Sequence, residues 1–234
     1  MPRNSNGMKK FRLFWDIDGT LIRTNGAAAI PFKQALSNFL KQEVDLDRKK
    51  LSGFTDFEII QTVSKNYGFK INDEDVEKIL ENYAQNLPTA LNVGNAHPIN
   101  AISEVLGEIE LSSVYESAIA TGNCNLGAIA KLTHINLINF FETERIFHAS
   151  VQNQSRDQII AKAKESLDPG QVGVIIGDSP KDILSAKANG LRVLGVATGM
   201  HSVDELKAFQ PDHIVENTWT KKTLIEAIIK ISKD

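Results

Sequence analysis

Three short segments of the 234-residue chain carry side chains able to do chemistry, and each follows a run of apolar residues. The first is Asp16-Ile17-Asp18-Gly19-Thr20, directly after Phe14-Trp15. Two carboxylates one position apart hinder each other's ionisation unless positive charge sits between them. A divalent cation meets that need. The second segment is Thr121-Gly122-Asn123, after Ala118-Ile119-Ala120. A hydroxyl and the free N–H groups of a glycine turn can cradle an oxyanion or a phosphate, although the same triplet alone is an ordinary turn. The third is Gly177-Asp178-Ser179-Pro180-Lys181-Asp182. Asp178 stands where an apolar strand should end, within reach of a metal held by the first loop. Asp182 falls in the first turn of the next helix. It can be a ligand, an acceptor behind the ligands, or a carboxylate favouring a helix N-terminus.

The elements that must position these groups are legible as alternating strands and helices. Strands are expected at 11–15, 114–120, 145–149, 172–176, 192–196 and 213–215. The run Val172-Gly173-Val174-Ile175-Ile176 is short and β-branched, as suits a strand buried on both faces. A helix over 180–189 opens with Ser179-Pro180 and stops at Gly190. An amphipathic helix closes the chain over 219–231. Strand–helix alternation argues for a parallel sheet with helices on both faces. In open sheets of this kind ligands bind at the carboxyl edge of the strands.

Residues 22–95 have a helical period throughout, and no strand is expected there. Phe32, Ala35, Leu36, Phe39 and Leu40 form one apolar stripe. Thr55-Asp56-Phe57-Glu58 reads as a capping box, and Asn72 can cap a helix carrying Val76, Ile79, Leu80 and Tyr83. The chain therefore divides into a core of 8–21 and 96–234 with a helical module of 22–95 inserted in it. Hinges are expected near 22–25 and 91–97. Residues 1–7 read as a leader, with Met8 able to serve as the start.

Composition narrows the function classes. Apolar residues make up 42% of the chain, near the globular norm. No apolar run reaches membrane-spanning length, and no apolar signal core opens the chain. The net charge of −3 has no basic bias toward nucleic acid. The lone Cys124 reads as a small spacer and suits a reducing cytoplasm. The five histidines lie scattered without ligand spacing, His148 alone standing near the end of an expected strand at the same sheet edge. Trp15 reads as packing or as a wall of the site.

Together the three segments resemble the signature of the haloacid dehalogenase-like superfamily. Asp16-x-Asp18-Gly19-Thr20 is similar to its first motif, Thr121-Gly122-Asn123 to its second, and Gly177-Asp178-x-x-x-Asp182 to its fourth. The helical insert lies where that family places an α-helical cap, and Gly53-Phe54-Thr55-Asp56 resembles a cap segment of phosphoglycolate phosphatase-like members. The resemblance implies an α/β fold, a Rossmann-like doubly wound parallel sheet, with a small α-helical cap. It implies phosphomonoester hydrolysis through an aspartyl-phosphate, on a small phosphorylated metabolite, by a monomer or dimer. Asp16 would be the nucleophile and Asp18 the acid and base. Mg²⁺ would be held by Asp16, the Asp18 carbonyl and Asp178, with Asp182 near. Oxygen donors without a His or Cys cluster favour Mg²⁺ over zinc. Phosphate oxygens would meet Gly19, Thr20, Thr121, Gly122 and Asn123. Thr55 is a pocket residue or a helix cap.

At the third motif the sequence departs from the family. Where a Lys-Pro is usual, it reads Gln152-Asn153-Gln154-Ser155-Arg156-Asp157. The usual lysine position falls near Asn153, and Arg156 is the nearest cation. Lys162 and Lys164 are expected on a solvated helix face. Two other functions stay open: a phosphomutase of the β-phosphoglucomutase type, and a phosphate-binding relative with little turnover.

Overall fold

The computed structural model describes residues 10–233. The expected leader and Met8 lie outside them. Strand β1 is Phe11–Trp15, and all five residues are buried. The short β2 (Ile22–Arg23) leads into helices α1 (Ala29–Leu40), α2 (Asp56–Asn66) and α3 (Asp73–Val93), and β3 (His97–Pro98) leads back. There follow α4 (Ile102–Leu111), β4 (Tyr115–Cys124), α5 (Asn125–His134), β5 (Ile146–Ala149), α6 (Arg156–Glu165), β6 (Val172–Gly177), α7 (Pro180–Ala188), β7 (Arg192–Val196), α8 (Val203–Lys207), β8 (His213–Val215) and α9 (Lys221–Lys233).

Six strands form one sheet in the order β5-β4-β1-β6-β7-β8, every pair parallel. Counted consecutively along the chain, these strands run 3-2-1-4-5-6, the doubly wound order whose switch point lies between the first and fourth. Here that point lies between β1 and β6. Helices cover the sheet, α6 beside α7 and α4 beside α9, so the central strands can be apolar without alternation. Arg12 is the exception on β1. It is buried and donates to Glu116 Oε1 at 2.6 Å, its register partner on β4, and to Ser166 Oγ at 3.0 Å. A buried charge needs such partners, and these lie toward the amino end of the strand, away from Asp16.

The structure corrects several expectations. Residues 22–95 do contain strand: Ile22 pairs with Pro98 and Arg23 with His97, antiparallel. A two-residue ribbon has too little sequence to show a period of two. It joins the two expected hinges side by side. Thr121-Gly122-Asn123 lies inside β4, not in a turn after it. Pairing with β5 passes from Ala120 opposite Phe147 to Cys124 opposite Ala149 across an irregularity. The extra β4 residues bulge out of the ladder while the backbone stays extended.

Caps explain the helix starts. Thr55, Asn72, Ser155 and Ser179 each close a reciprocal capping box. Gly190, at φ +65°, follows the Asn189 cap of α7. The closing helix begins at Lys221, not 219, and Trp219 packs in the core just before it. No helix of the described residues is long and apolar enough to cross a membrane.

Candidate active site

Parallel register brings the carboxyl ends of three strands level. Trp15 lies opposite Ile119 on β4 and Ile176 on β6. The residues just past them, Asp16 after β1 and Asp178 after β6, therefore meet at the switch point. Asp16 N donates to Ile176 O at 2.9 Å, which fixes the first loop to β6. One carboxylate oxygen each from Asp16, Asp178 and Asp182 lies within 4.8 Å of the others, and all three residues are buried.

Arg156 answers part of this charge. Its Nη2 donates to Asp16 Oδ1 at 2.8 Å and to Asp182 Oδ1. Ser155 caps α6, so Arg156 is its first residue and projects from the helix start. Lys162 and Lys164 are exposed, paired with Glu165 and the Asn189 carbonyl, as a solvated face requires. Asp182 Oδ2 accepts from Ser179 N at 3.0 Å and Ser179 Oγ at 2.7 Å. Both oxygens of Asp182 are thus engaged, and it anchors Arg156 and the α7 cap. Burial most of all raises Asp16, Arg156 pulls it back, and Asp182 and Asp18 add to the rise, which together leave it at about 7. Asp178 is also held well above the usual carboxylate range, by burial first and then by Asp16 and Asp182. Acids that resist ionisation for want of positive charge fit a hard divalent cation with oxygen ligands. Backbone comes unusually close to Asp178. A Cβ on Gly199 would lie 1.5 Å from Asp178 Oδ2, so only glycine fits there.

Asp18 lies apart from this cluster, its side chain 42% exposed. Asn123 Nδ2 donates to its Oδ2 at 2.7 Å and Lys131 Nζ to the same oxygen at 2.6 Å. Asp18 borders a cavity of about 330 Å³ that also meets Asp16, Gly19, Asn123, Arg156 and Asp178. Helical-insert residues form its other wall, among them Phe32, Arg48, Phe54 and Tyr83.

The insert touches the carboxyl edge of the sheet directly. Asp56 Oδ2 accepts from Cys124 N at 2.8 Å. Lys181 Nζ donates to Glu58 Oε1 at 2.9 Å and sits 3.8 Å from the Phe54 ring centroid. Gly122 lets the Phe54 backbone approach; a Cβ there would lie 2.9 Å from Phe54 O.

The structure therefore gathers Asp16, Asp18, Gly19, Gly122, Asn123, Arg156 and Asp178 around one cavity. Thr20, Thr55 and Thr121 are buried and do not line it. Thr121 Oγ1 accepts from Asn123 Nδ2 at 2.8 Å. Thr55 Oγ1 accepts from Glu58 N at 3.0 Å and donates to Gln154 O, so the capping alternative is the one realised. Thr20 Oγ1 has no partner among the described residues. Cys124 is buried, and burial pushes its thiol up, as suits a spacer. No histidine joins the acidic cluster.

Sequence reasoning missed Lys131, Asp56, Thr198 and Gly199. One signal was available: Lys131 falls on the buried stripe of α5 with Gly127, Ala128 and Leu132. Asp56 was hidden inside a capping box. Thr198 Oγ1, which donates to Gly19 O at 2.6 Å, had no signal at all.

A doubly wound parallel sheet with acids converging at its switch point defines a Rossmann-like α/β core in which loops supply the chemistry. The chain belongs to the haloacid dehalogenase-like hydrolase family, whose model matches residues 13–196. It is similar to "Probable phosphatase IndB" of Dickeya dadantii, 24% identical, covering 96% of this chain and 97% of that one. It is similar also to the 5'-nucleotidase of Pseudomonas aeruginosa, 24% identical over 92% and 95% of the two chains. Among solved structures, a family IA, variant 3 hydrolase from Entamoeba histolytica shares the fold, with TM-score 0.73, 20% identity and coverage of 97% and 100%.

Proposed function

We propose that this protein is a Mg²⁺-dependent phosphomonoesterase acting on a small phosphorylated metabolite through an aspartyl-phosphate. The observation that carries the reading is the division of labour between two nearby acids. Asp16 is buried against Arg156 beside Asp178, whereas Asp18 is held apart by Lys131 and Asn123 and borders the cavity. One acid is placed to attack and the other to move protons. Asp16 attacks phosphorus, and Asp18 protonates the leaving oxygen. Asp18 then takes a proton from the water that cleaves the intermediate. Arg156 holds the nucleophile and offers positive charge to the transferring group, the role a lysine fills elsewhere in the family. Gly19, Gly122 and Asn123 border the phosphate position, with Thr20 and Thr121 packed behind. Asp16, Asp178 and the Asp18 carbonyl would hold Mg²⁺, which supplies charge neutralisation as negative charge shifts to the leaving oxygen. Asp182 orients Arg156.

Residues 22–95 act as a lid, with the β2–β3 ribbon as its stem. A cleft of about 330 Å³ between the sheet edge and the insert favours a small substrate. Relatives named as a phosphatase, a pyrophosphatase and a 5'-nucleotidase support phosphate as the reacting group. The unpaired, buried Cys124 accords with the reducing cytoplasm.

The test is phosphate release from an aryl phosphate and a metabolite panel. Release should depend on Mg²⁺, stop with EDTA, and be absent in Asp16→Asn. No release across the panel refutes the reading. Isomerisation of a hexose phosphate without net release would instead assign a mutase.

A further inference from the structure

Lys131 is a charged residue in the wall of the site that none of the three motifs accounts for. It is 3% exposed. A buried ammonium is costly unless acceptors surround it. Its Nζ donates to Asp18 Oδ2 at 2.6 Å and to Asn123 Oδ1 at 2.5 Å. Burial alone would lower its pKa; Asp18, Tyr83 and Asp56 outweigh that and keep the group charged.

The two oxygens of Asp18 are treated differently. Lys131 and Asn123 Nδ2 both donate to Oδ2, and neither reaches Oδ1. An oxygen already accepting from an ammonium and an amide is a poor place for a proton, whose hydrogen would face two others. The Asn123 amide cannot turn over to relieve this. Its oxygen accepts from Lys131, and its nitrogen also donates to Thr121 Oγ1 at 2.8 Å.

We propose that Lys131 is a positioning residue that, together with Asn123, clamps Asp18 by Oδ2 and so makes Oδ1 the proton-exchanging atom. This rests on the phosphomonoesterase reading above. In the first step the bond from an Asp16 carboxylate oxygen to phosphorus forms as the bond from phosphorus to the leaving oxygen breaks. The leaving oxygen keeps the electron pair and takes the proton from Asp18 Oδ1. In the second step water oxygen bonds to phosphorus, the Asp16–phosphorus bond breaks, and a water proton passes to Asp18 Oδ1. Ester and water become alcohol and phosphate, and Asp18 ends as it began. Lys131 exchanges no proton.

Leaving-group dependence tests this. A p-nitrophenolate departs without a proton, whereas the alkoxide of glycerol phosphate needs one. General acid catalysis contributes roughly 10²- to 10⁴-fold. In Lys131→Met, kcat/KM should fall at least about tenfold further on glycerol phosphate than on p-nitrophenyl phosphate, a part of that range. Asp18→Asn should show the same bias. A purely structural role would lower both substrates alike, and equal losses overturn the proposal. Asn123→Ala, which removes the second donor, should show the same bias in smaller degree. It decides the matter if thermal melting shows that Lys131→Met does not fold, and an unbiased loss there also overturns the clamp. If the parent enzyme hydrolyses neither ester nor any other phosphate, the phosphomonoesterase reading itself fails, and this proposal with it. Parent turnover with unbiased variants sinks the clamp alone.

Discussion

Replacing Arg156 with methionine withdraws a guanidinium from between two buried carboxylates, Asp16 and Asp182. Removing one partner of a buried ion pair costs about 3–5 kcal/mol, because the other charge stays buried and uncompensated. For a domain of this size each kcal/mol shifts Tm by about 2–4 °C, so the metal-free variant should melt about 6–20 °C below its parent. The pH dependence has a definite sign. Asp16 is already pushed up to about 7 with Arg156 lowering it, and without that cation it rises further. At pH 6 the variant's Asp16 carries its proton and buries no unpaired charge; at pH 8 it has more charge to neutralise. The Tm deficit should therefore be larger at pH 8 than at pH 6, and millimolar Mg²⁺ should narrow it. Calorimetry on EDTA-treated protein at both pH values measures this. A Tm within about 2 °C of the parent at pH 8, below the 6–20 °C derived above, would show that the pair is not structural. A larger deficit at pH 6 would refute the electrostatic reasoning.

Gly199→Ala should abolish Mg²⁺-dependent turnover, since its Cβ would lie 1.5 Å from Asp178 Oδ2; near-parental Mg²⁺ binding in calorimetric titration would contradict this. The metal-free parent should lose stability as pH rises from 5 to 7, because an unfolded aspartate (pKa about 3.9) has already lost its proton there while folded Asp16 keeps it up to about 7. Denaturant titration of parent and Asp16→Asn should show that fall in the parent and a weaker one in the variant; parallel curves would argue against it. Arg12→Met should cost about 1–3 kcal/mol, less than a fully broken buried pair because Glu116 keeps Arg145 and Gln171, with kcat unchanged, since Arg12 lies near the amino end of β1, the opposite end from Asp16. A drop in kcat at a temperature where the variant is fully folded would be the contrary result.

Much of this molecule is written in local patterns. The strands β1 and β6 are short, largely apolar runs, and the positions just past them carry Asp16 and Asp178, so strand, loop and acid are read together. The capping box at Thr55 and the Ser179-Pro180 helix start need only a few consecutive residues, which is why they are legible. Arg156 could be singled out by elimination along its segment, because Lys162 and Lys164 fall on a polar helix face. What lies beyond such patterns is the meeting of distant groups. Lys131 reaches Asp18 across 113 positions, and Thr198 reaches Gly19 across 179. Neither spacing has a period, so neither leaves a local trace. The β2–β3 ribbon is two residues long on each side, too short to alternate. The bulge in β4 depends on its pairing with β5, a property of two strands and not of one. Sequence alone determined which acids stand at strand ends and that a helical segment interrupts the sheet. Only tertiary structure decided which oxygen of Asp18 is held, that both oxygens of Asp182 are engaged, and that Thr121 faces inward. Side-chain period follows from the backbone of a single element, whereas hydrogen-bond partners are set by where the sheet order brings separate elements together.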